Sequence, residues 1–327
     1  MDINREKFWG ALVGGIQGSV IGDALGVPVE FMHREALRKN PVVGMMSGGI
    51  HEQTIGTWSD DTSMTLCTME SLIDNGIDYD AQMARFSDWL RYGTNTAHNE
   101  VFDVGGATRQ SIFRFVRGMT ALECGELAEY TCGNGSLMRI FPTVMYIIGQ
   151  YGNIPINDNA INIIHNTSKC THQHARCLMA CGIFYSVVVA LLNGVNLQNS
   201  IMSGIVEGLE YYKSKPEFVD EYENFKFLLN LEKWTEDDVR SSGYVIDTLQ
   251  ASLWCLYRSS TYSQCVLSAV NLGEDTDTTG AVAGAIAGLW YKEEQIPIDW
   301  IAKTVKYDSI YQLSQRFFYA CVKSIGQ

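Results

Sequence analysis

Five glycines near the start of this chain, Gly10, Gly14, Gly18, Gly22 and Gly26, recur at a strict spacing of four. That spacing keeps residues on one ridge of an α-helix, so the segment FWGALVGGIQGSVIGDALG presents a nearly bare stripe. Glycine costs about 1 kcal/mol relative to alanine inside a helix. A stripe of them therefore implies close approach by another helix or by a ligand. Gly280, Gly284 and Gly288 repeat the spacing, accompanied by Ala281, Ala283, Ala285 and Ala287. Two small-residue helices predict a tightly packed helical centre. In lipid the same stripe would be a dimerisation motif, but both segments read as insufficiently long and apolar for that.

The period elsewhere is helical too. Residues 61–72, 81–90, 201–212 and 244–257 read as amphipathic or buried helices. Loops are marked at 40–49, 131–136, 153–158 and 213–218 by Gly, Pro, Asn and Ser. Only short pieces such as 266–272 could pass for strands, and no βαβ alternation, Pro/Ser-rich linker or low-complexity tract is visible. The expectation is one all-α domain over residues 1–327.

An apolar fraction of 46% is ordinary for a globular chain. The net charge of -13 argues against a nucleic-acid backbone binder, which needs a basic face. It suits a chain that places carboxylates on its surface or around cations. The nine cysteines are scattered without a C-x-x-C pair, so they read as buried apolar residues in a reducing compartment rather than as a disulfide or zinc scaffold. The first residues, MDINREKFWG, lack the apolar run of a signal peptide. Residues 177–192 are the most membrane-like stretch but read as a buried central helix. No membrane partner and a cytoplasmic location are expected.

Two acidic clusters stand out. In GTWSDDTSM (56–64), Ser59, Asp60 and Asp61 open an apolar helix; alone, this is an ordinary capped helix start. In GEDTDTTGAVAGAIAG (273–288), Asp275, Asp277 and Thr278 stand in the same relation to a small-residue helix. Hard oxygen donors with no His or Cys among them suit Mg²⁺, Mn²⁺ or Ca²⁺ rather than zinc. Two acid-tipped helices converging would repel unless cations sat between them, so the pair says more than either cluster alone. The residues 275–279 also match the D-x-D-x-T pattern of aspartate-nucleophile phosphatases of the haloacid dehalogenase type. There the motif closes the first strand of a doubly wound sheet, whereas here no alternating strands follow it.

The loop TCGNGSLMRIFP (131–142), with Gly133, Asn134, Gly135 and Ser136, has the composition of a phosphate-cradling turn, although it is not a nucleotide triphosphatase loop. His172 and His174 form an H-x-H without acidic or thiol company, which favours a substrate hydrogen bond or a core role over metal ligation. Glu30 and Asp103 are isolated acids in GVPVEF and VFDVGGATRQS.

Taken together, the segments GxxxGxxxGDALGVPVEF (14–31), GTWSDDTSM, FDVGGATR (102–109), GNGSLMR (133–139), THQHARC (171–177), GYVIDTLQASLW (243–254) and GEDTDTTGAVAGAIAG resemble, in order and from end to end, the ADP-ribosylglycohydrolase family. The resemblance implies an orthogonal all-α bundle with a central binuclear Mg²⁺ or Mn²⁺ site. Its metal motifs fall on Ser59, Asp60, Asp61, Asp275, Asp277 and Thr278; the family usually has threonine where this chain has Ser59. Glu30 and Asp103 match acids that face the metals or the reacting ribose, and either could serve as base. Gly133, Asn134, Gly135, Ser136 and His172 match the substrate side. The implied reaction is removal of ADP-ribose from a modified acceptor, a protein or a small compound, with arginine as the first guess. A non-catalytic ADP-ribose binder or an immunity or structural relative is the alternative.

Overall fold

The computed structural model describes residues 4–322. In chain order the helices are α1 (Arg5–Gly26), α2 (Arg34–Lys39), α3 (Asp60–Asn75), α4 (Tyr79–Tyr92) and α5 (Gly106–Val116). There follow α6 (Phe141–Tyr151), α7 (Asp158–Lys169), α8 (Ala175–Asn193), α9 (Leu197–Lys213) and α10 (Val219–Tyr222). The last third holds α11 (Val245–Arg258), α12 (Tyr262–Val270), α13 (Thr276–Tyr291), α14 (Ile298–Lys303) and α15 (Tyr307–Val322). Among the described residues there is no strand, only the isolated bridges Gly48–Gln53, Glu126–His172 and Gly133–Tyr244. The all-α bundle expected from the sequence is what the chain forms.

The glycine stripes pack against each other. Gly14 meets the carbonyl of Gly288, Gly18 that of Gly284 and Gly22 that of Gly280, so α1 and α13 run antiparallel. A Cβ at any of these six positions would overlap the facing backbone. Gly26 meets the backbone of Thr276 and Asp277 in the same way, while Gly10 touches only the Lys292 side chain. Every residue from Ala11 to Gly26 and from Thr276 to Leu289 is buried, as expected of helices that lack a polar face. Around this pair pack α3, α11, α12 and α15, with α8 and α9 forming a second layer.

One open reading is resolved and one expectation needs correction. Residues 266–272 are not a strand: α12 covers most of them, their apolar run burying a helix against α13. The segments Arg5–Val29 and Ala175–Asn193 are, by length and composition, apolar enough to cross a membrane, contrary to the sequence reading. Both are packed inside the protein instead, their windows 100% and 83% buried. Apolar composition on all sides serves a central helix as well as a membrane span.

The antiparallel pairing also sets where the acids meet. The C-terminal end of α1 lies beside the N-terminal end of α13, and α3 begins at the same level through its contacts with both. Beyond α1, Phe31 and Glu274 both adopt left-handed backbone (φ 63° and 65°). The Phe31 N–H donates to Glu274 O at 2.7 Å and the Glu274 N–H to Met32 O at 2.8 Å. These bonds tie the segment carrying Glu30 to the one carrying Asp275.

Candidate active site

The first turn of α3 is held from outside. Ser59 is the N-cap, its hydroxyl accepting from the Asp61 N–H and donating to Asp61 Oδ2 at 3.0 Å. Asp23, near the end of α1, accepts from the Ser59 N–H at 2.9 Å, the Thr62 N–H at 3.0 Å and the Thr62 hydroxyl at 2.6 Å. Free N–H groups at a helix start are natural partners for a carboxylate. With Asp23 taking them, Asp60 and Asp61 are left to face the centre.

The second cluster arrives on α13. Thr278 donates to Asp61 Oδ2 at 3.3 Å, linking the two motifs directly. Asp277 Oδ1 accepts the Thr278 N–H at 2.9 Å, and Asp275 Oδ2 accepts from Asn134 Nδ2 at 2.9 Å. Asp61 Oδ1, Asp275 Oδ1 and Asp277 Oδ2 are buried with no hydrogen-bond partner among the described residues. Oxygens of Asp23, Asp61 and Asp277 lie within 4.8 Å of one another, as do those of Glu30, Asp275 and Asp277.

Burial and like charge act together on these acids. Burial, then Asp61, Asp103, Asp23 and Glu30, push Asp60 well above the usual carboxylate range. Asp277 is raised in the same way by burial and by Glu30, Asp61, Asp275 and Asp103. Burial raises Asp61 and Asp275 too, although the Asn134 bond pulls Asp275 back. Buried carboxylates facing one another with orphaned oxygens are stable as anions only with cations between them. The acidic groups are placed to bind metal, and an all-oxygen donor set matches a hard divalent ion.

Glu30 projects from the end of the first helical segment into this cluster, and burial, with Asp103, Asp275 and Asp23, pushes it up to about 9. Its Oε2 lies 2.5 Å from His51 Nε2. The His51 ring packs on Phe102 with centroids 5.1 Å apart and on Phe31 at 6.3 Å. Asp103, the next residue, adopts φ 52°, a backbone region that non-glycine residues enter only under constraint. Glu30, His51 and Asp103 offer atoms within 4.8 Å of one another.

A cleft of about 690 Å³ opens onto these groups. Glu30, Asp60, Asp103, Asp275 and Thr278 line its floor side, and Gly133, Asn134, Gly135 and His172 line another wall. The exposed residues Phe31 and Tyr130 also line it, as do Gly105 and Gly106 at the start of α5.

The sequence-expected residues thus converge, with three differences. Ser136 does not reach the cleft: its hydroxyl is fully buried, shares a hydrogen bond with the Ser168 hydroxyl at 2.8 Å and lies 3.6 Å from Cys181 Sγ. Asn134 faces the cleft, yet its amide is spent on Thr248 and Asp275, and its N–H donates to Gly243 O. It braces the acidic cluster. His174 parts from His172, capping α8 and facing Glu221 at 3.9 Å, so the H-x-H is not a ligand pair. The D-x-D-x-T match also loses its context, because Asp275 precedes a helix and no strand is found among the described residues.

Two site residues were missed in the sequence. Asp23 carried a signal, as an acid inside an otherwise apolar glycine helix. His51 carried none, since only the fold brings it to Glu30.

The ADP-ribosylglycohydrolase family model matches residues 4–325. The chain is 31% identical over 318 residues to ADP-ribosylarginine hydrolase Tri1 of Serratia proteamaculans (strain 568), covering 96% of this chain and 79% of that protein. It is 28% identical over 295 residues to ADP-ribosyl-dinitrogen reductase glycohydrolase of Rhodospirillum rubrum, covering 89% of each. A solved structure described as an ADP-ribosylglycohydrolase-related protein complex superimposes with a TM-score of 0.77 at 26% identity, covering 97% of this chain and 99% of that one.

Proposed function

The chain belongs to the ADP-ribosylglycohydrolase family, and from that premise we propose that it releases ADP-ribose from mono-ADP-ribosylated arginine on protein, using two divalent ions, Mg²⁺ or Mn²⁺. The observation that carries this reading is the convergence of the acids at the starts of α3 and α13 with Glu30 and Asp103: Asp60, Asp275, Glu30 and Asp103 line one cleft, and Asp61 and Asp277 lie buried beside it. The relative named for arginine, at 31% identity, supports the acceptor.

Ser59, Asp60, Asp61, Asp275, Asp277 and Thr278 would hold the ions, and the orphaned oxygens of Asp61, Asp275 and Asp277 fit that role. When bound, the ions supply fixed positive charge and Lewis acidity beside the distal ribose. The protein's own part is positioning and proton transfer. Cleavage of the bond between C1″ and the acceptor nitrogen builds oxocarbenium character on the ribose. Carboxylates beside the ring lower the cost of that charge. Asp103 opens to the cleft and is free of the close histidine bond that occupies Glu30, so Asp103 is the base that takes the proton of the attacking water. The water oxygen bonds to C1″ as the C1″–N bond breaks, and the proton that Asp103 took passes to the departing guanidine, which returns Asp103 to its starting state. Glu30, steadied by His51, supports the ribose and the positive charge. His172 and the Gly133–Gly135 turn border the part of the cleft that takes the rest of ADP-ribose.

The test is release of ADP-ribose from an arginine-modified protein with Mg²⁺, Mn²⁺ or EDTA present. Metal-dependent release, lost in Asp60→Ala, is the expected result. Binding of ADP-ribose without release from arginine- or serine-linked substrate would replace the reading with a non-catalytic binder.

A further inference from the structure

Arg139 is fully buried, a rare place for a guanidinium. It faces no carboxylate; its charge rests over the Phe86 ring at 4.7 Å, and its Nε and Nη1 have no partner among the described residues. Its Nη2 donates to Thr167 O at 3.2 Å and to the Thr171 hydroxyl at 2.8 Å. That hydroxyl lies 2.9 Å from His172 Nδ1.

The chemistry of the three groups fixes the direction of the chain. Arginine only donates, so Thr171 Oγ1 must accept from it. Thr171 is fully buried, and among the described residues the hydroxyl proton has only His172 Nδ1 to accept it. A buried hydroxyl proton left unpaired carries the full penalty of its lost hydration. Nδ1 is therefore the acceptor, and the ring proton resides on Nε2. An imidazolium is opposed by burial and by the adjacent guanidinium, which together push His172 down to about 3.

The ring is also fixed in place. The His172 N–H donates to Ser168 O at 2.8 Å, and the Ser168 hydroxyl donates to His172 O at 2.8 Å. A side chain at Gly135 would collide with Cε1, so the glycine turn lies directly on the imidazole. His172 lines the cleft, and its Nε2 has no protein partner among the described residues.

We infer that Arg139 and Thr171 are positioning residues that hold His172 as the neutral Nε2–H tautomer, with that proton offered to an acceptor oxygen of the ligand in the cleft. The tautomer stands on the three side chains alone; that the ligand is ADP-ribose rests on the proposed function.

The experiment is long-range ¹H–¹⁵N correlation on the full chain labelled at histidine, which has six, with His172→Gln assigning the resonance. The expected pattern is a protonated Nε2 and a bare Nδ1. Thr171→Val removes the donor to Nδ1, so the tautomer pattern is lost and ADP-ribose binds about 10-fold more weakly, the worth of one hydrogen bond. Thr171→Ser, which keeps the hydroxyl, restores both. A proton on Nδ1, an imidazolium, or identical behaviour of the valine and serine variants overturns the inference. Wild-type protein that shows the expected tautomer yet fails to bind ADP-ribose would overturn the proposed function and leave the relay standing.

Discussion

The carboxylate of Asp23 accepts the backbone N–H of Ser59 at 2.9 Å, so the end of α1 directly holds the first turn of α3. Asp23→Ala leaves the Ser59 and Thr62 donors without their partner, a loss of about 1–3 kcal/mol in unfolding free energy. Because Asp60 and Asp61 follow Ser59, Mn²⁺ affinity should fall with it. Urea unfolding and calorimetric titration check both; unchanged metal affinity would mean that Asp23 only caps the helix.

Gly10 and Gly22 share one stripe but should respond oppositely to alanine. Gly10→Ala adds a Cβ at an ordinary 3.6 Å from Lys292 and gains the helix propensity of alanine, so stability rises by up to about 1 kcal/mol. Gly22→Ala drives a Cβ into the Gly280 carbonyl. It should cost about 1–3 kcal/mol or more, with weaker metal binding because the helices must part beside Asp23 and Asp277. Thermal unfolding of the two variants side by side is sufficient.

Metal removal should expose the electrostatic load. Burial raises Asp23 from 3.8 to about 7 and Glu30 from 4.5 to about 9. A raised carboxyl pKa means that the folded state binds more protons than the unfolded one. Its stability contribution is then full below the ordinary carboxylate range and is lost as pH rises towards about 9. In EDTA the melting temperature should fall from about pH 5 upward. Excess Mn²⁺ should shrink or reverse that slope, because it favours the ionised acids; parallel slopes with and without metal would contradict the site.

Three substitutions separate the roles of the acids. Asp277→Ala should abolish metal binding and turnover together. Asp103→Asn should lower kcat about 100-fold or more while metal affinity is kept, as loss of a general base requires. Glu30→Gln should raise KM as well as lower kcat, since its bond to His51 belongs to ribose positioning. Stopped assays with titrated Mn²⁺ distinguish the three.

Much of this was legible in the chain because it depends on local spacing. The glycines at intervals of four anticipated a close helix pair, and S-D-D and D-T-D-T anticipated acid-tipped helices. What could not be read was which way each side chain turns. Ser136 sits in a loop whose composition suggests phosphate binding, yet it points inward to Ser168. Asn134 lines the cleft, and what the sequence did not show is that its Nδ2 also braces Asp275. His51 became visible only once residues 30 and 51 were folded together. Residues 266–272 could pass for a strand because a short, mostly apolar segment fits a buried helix as well as a strand.

The antiparallel glycine contact has a consequence for how the protein is made. Thr278 reaches Asp61 across 217 residues, and Thr276 reaches Gly26 across 250. Synthesis proceeds from the N-terminus, so α1 leaves the ribosome long before α13, whose glycines face its bare ridge, exists. Contacts this distant in the chain are slow to form, and a chain halted before the N-cap of α13 lacks Asp275 and Asp277 and so cannot close the acidic cluster. Catalytic competence therefore arrives last, and until then the nascent chain carries an uncovered apolar helix that chaperones would be expected to shield.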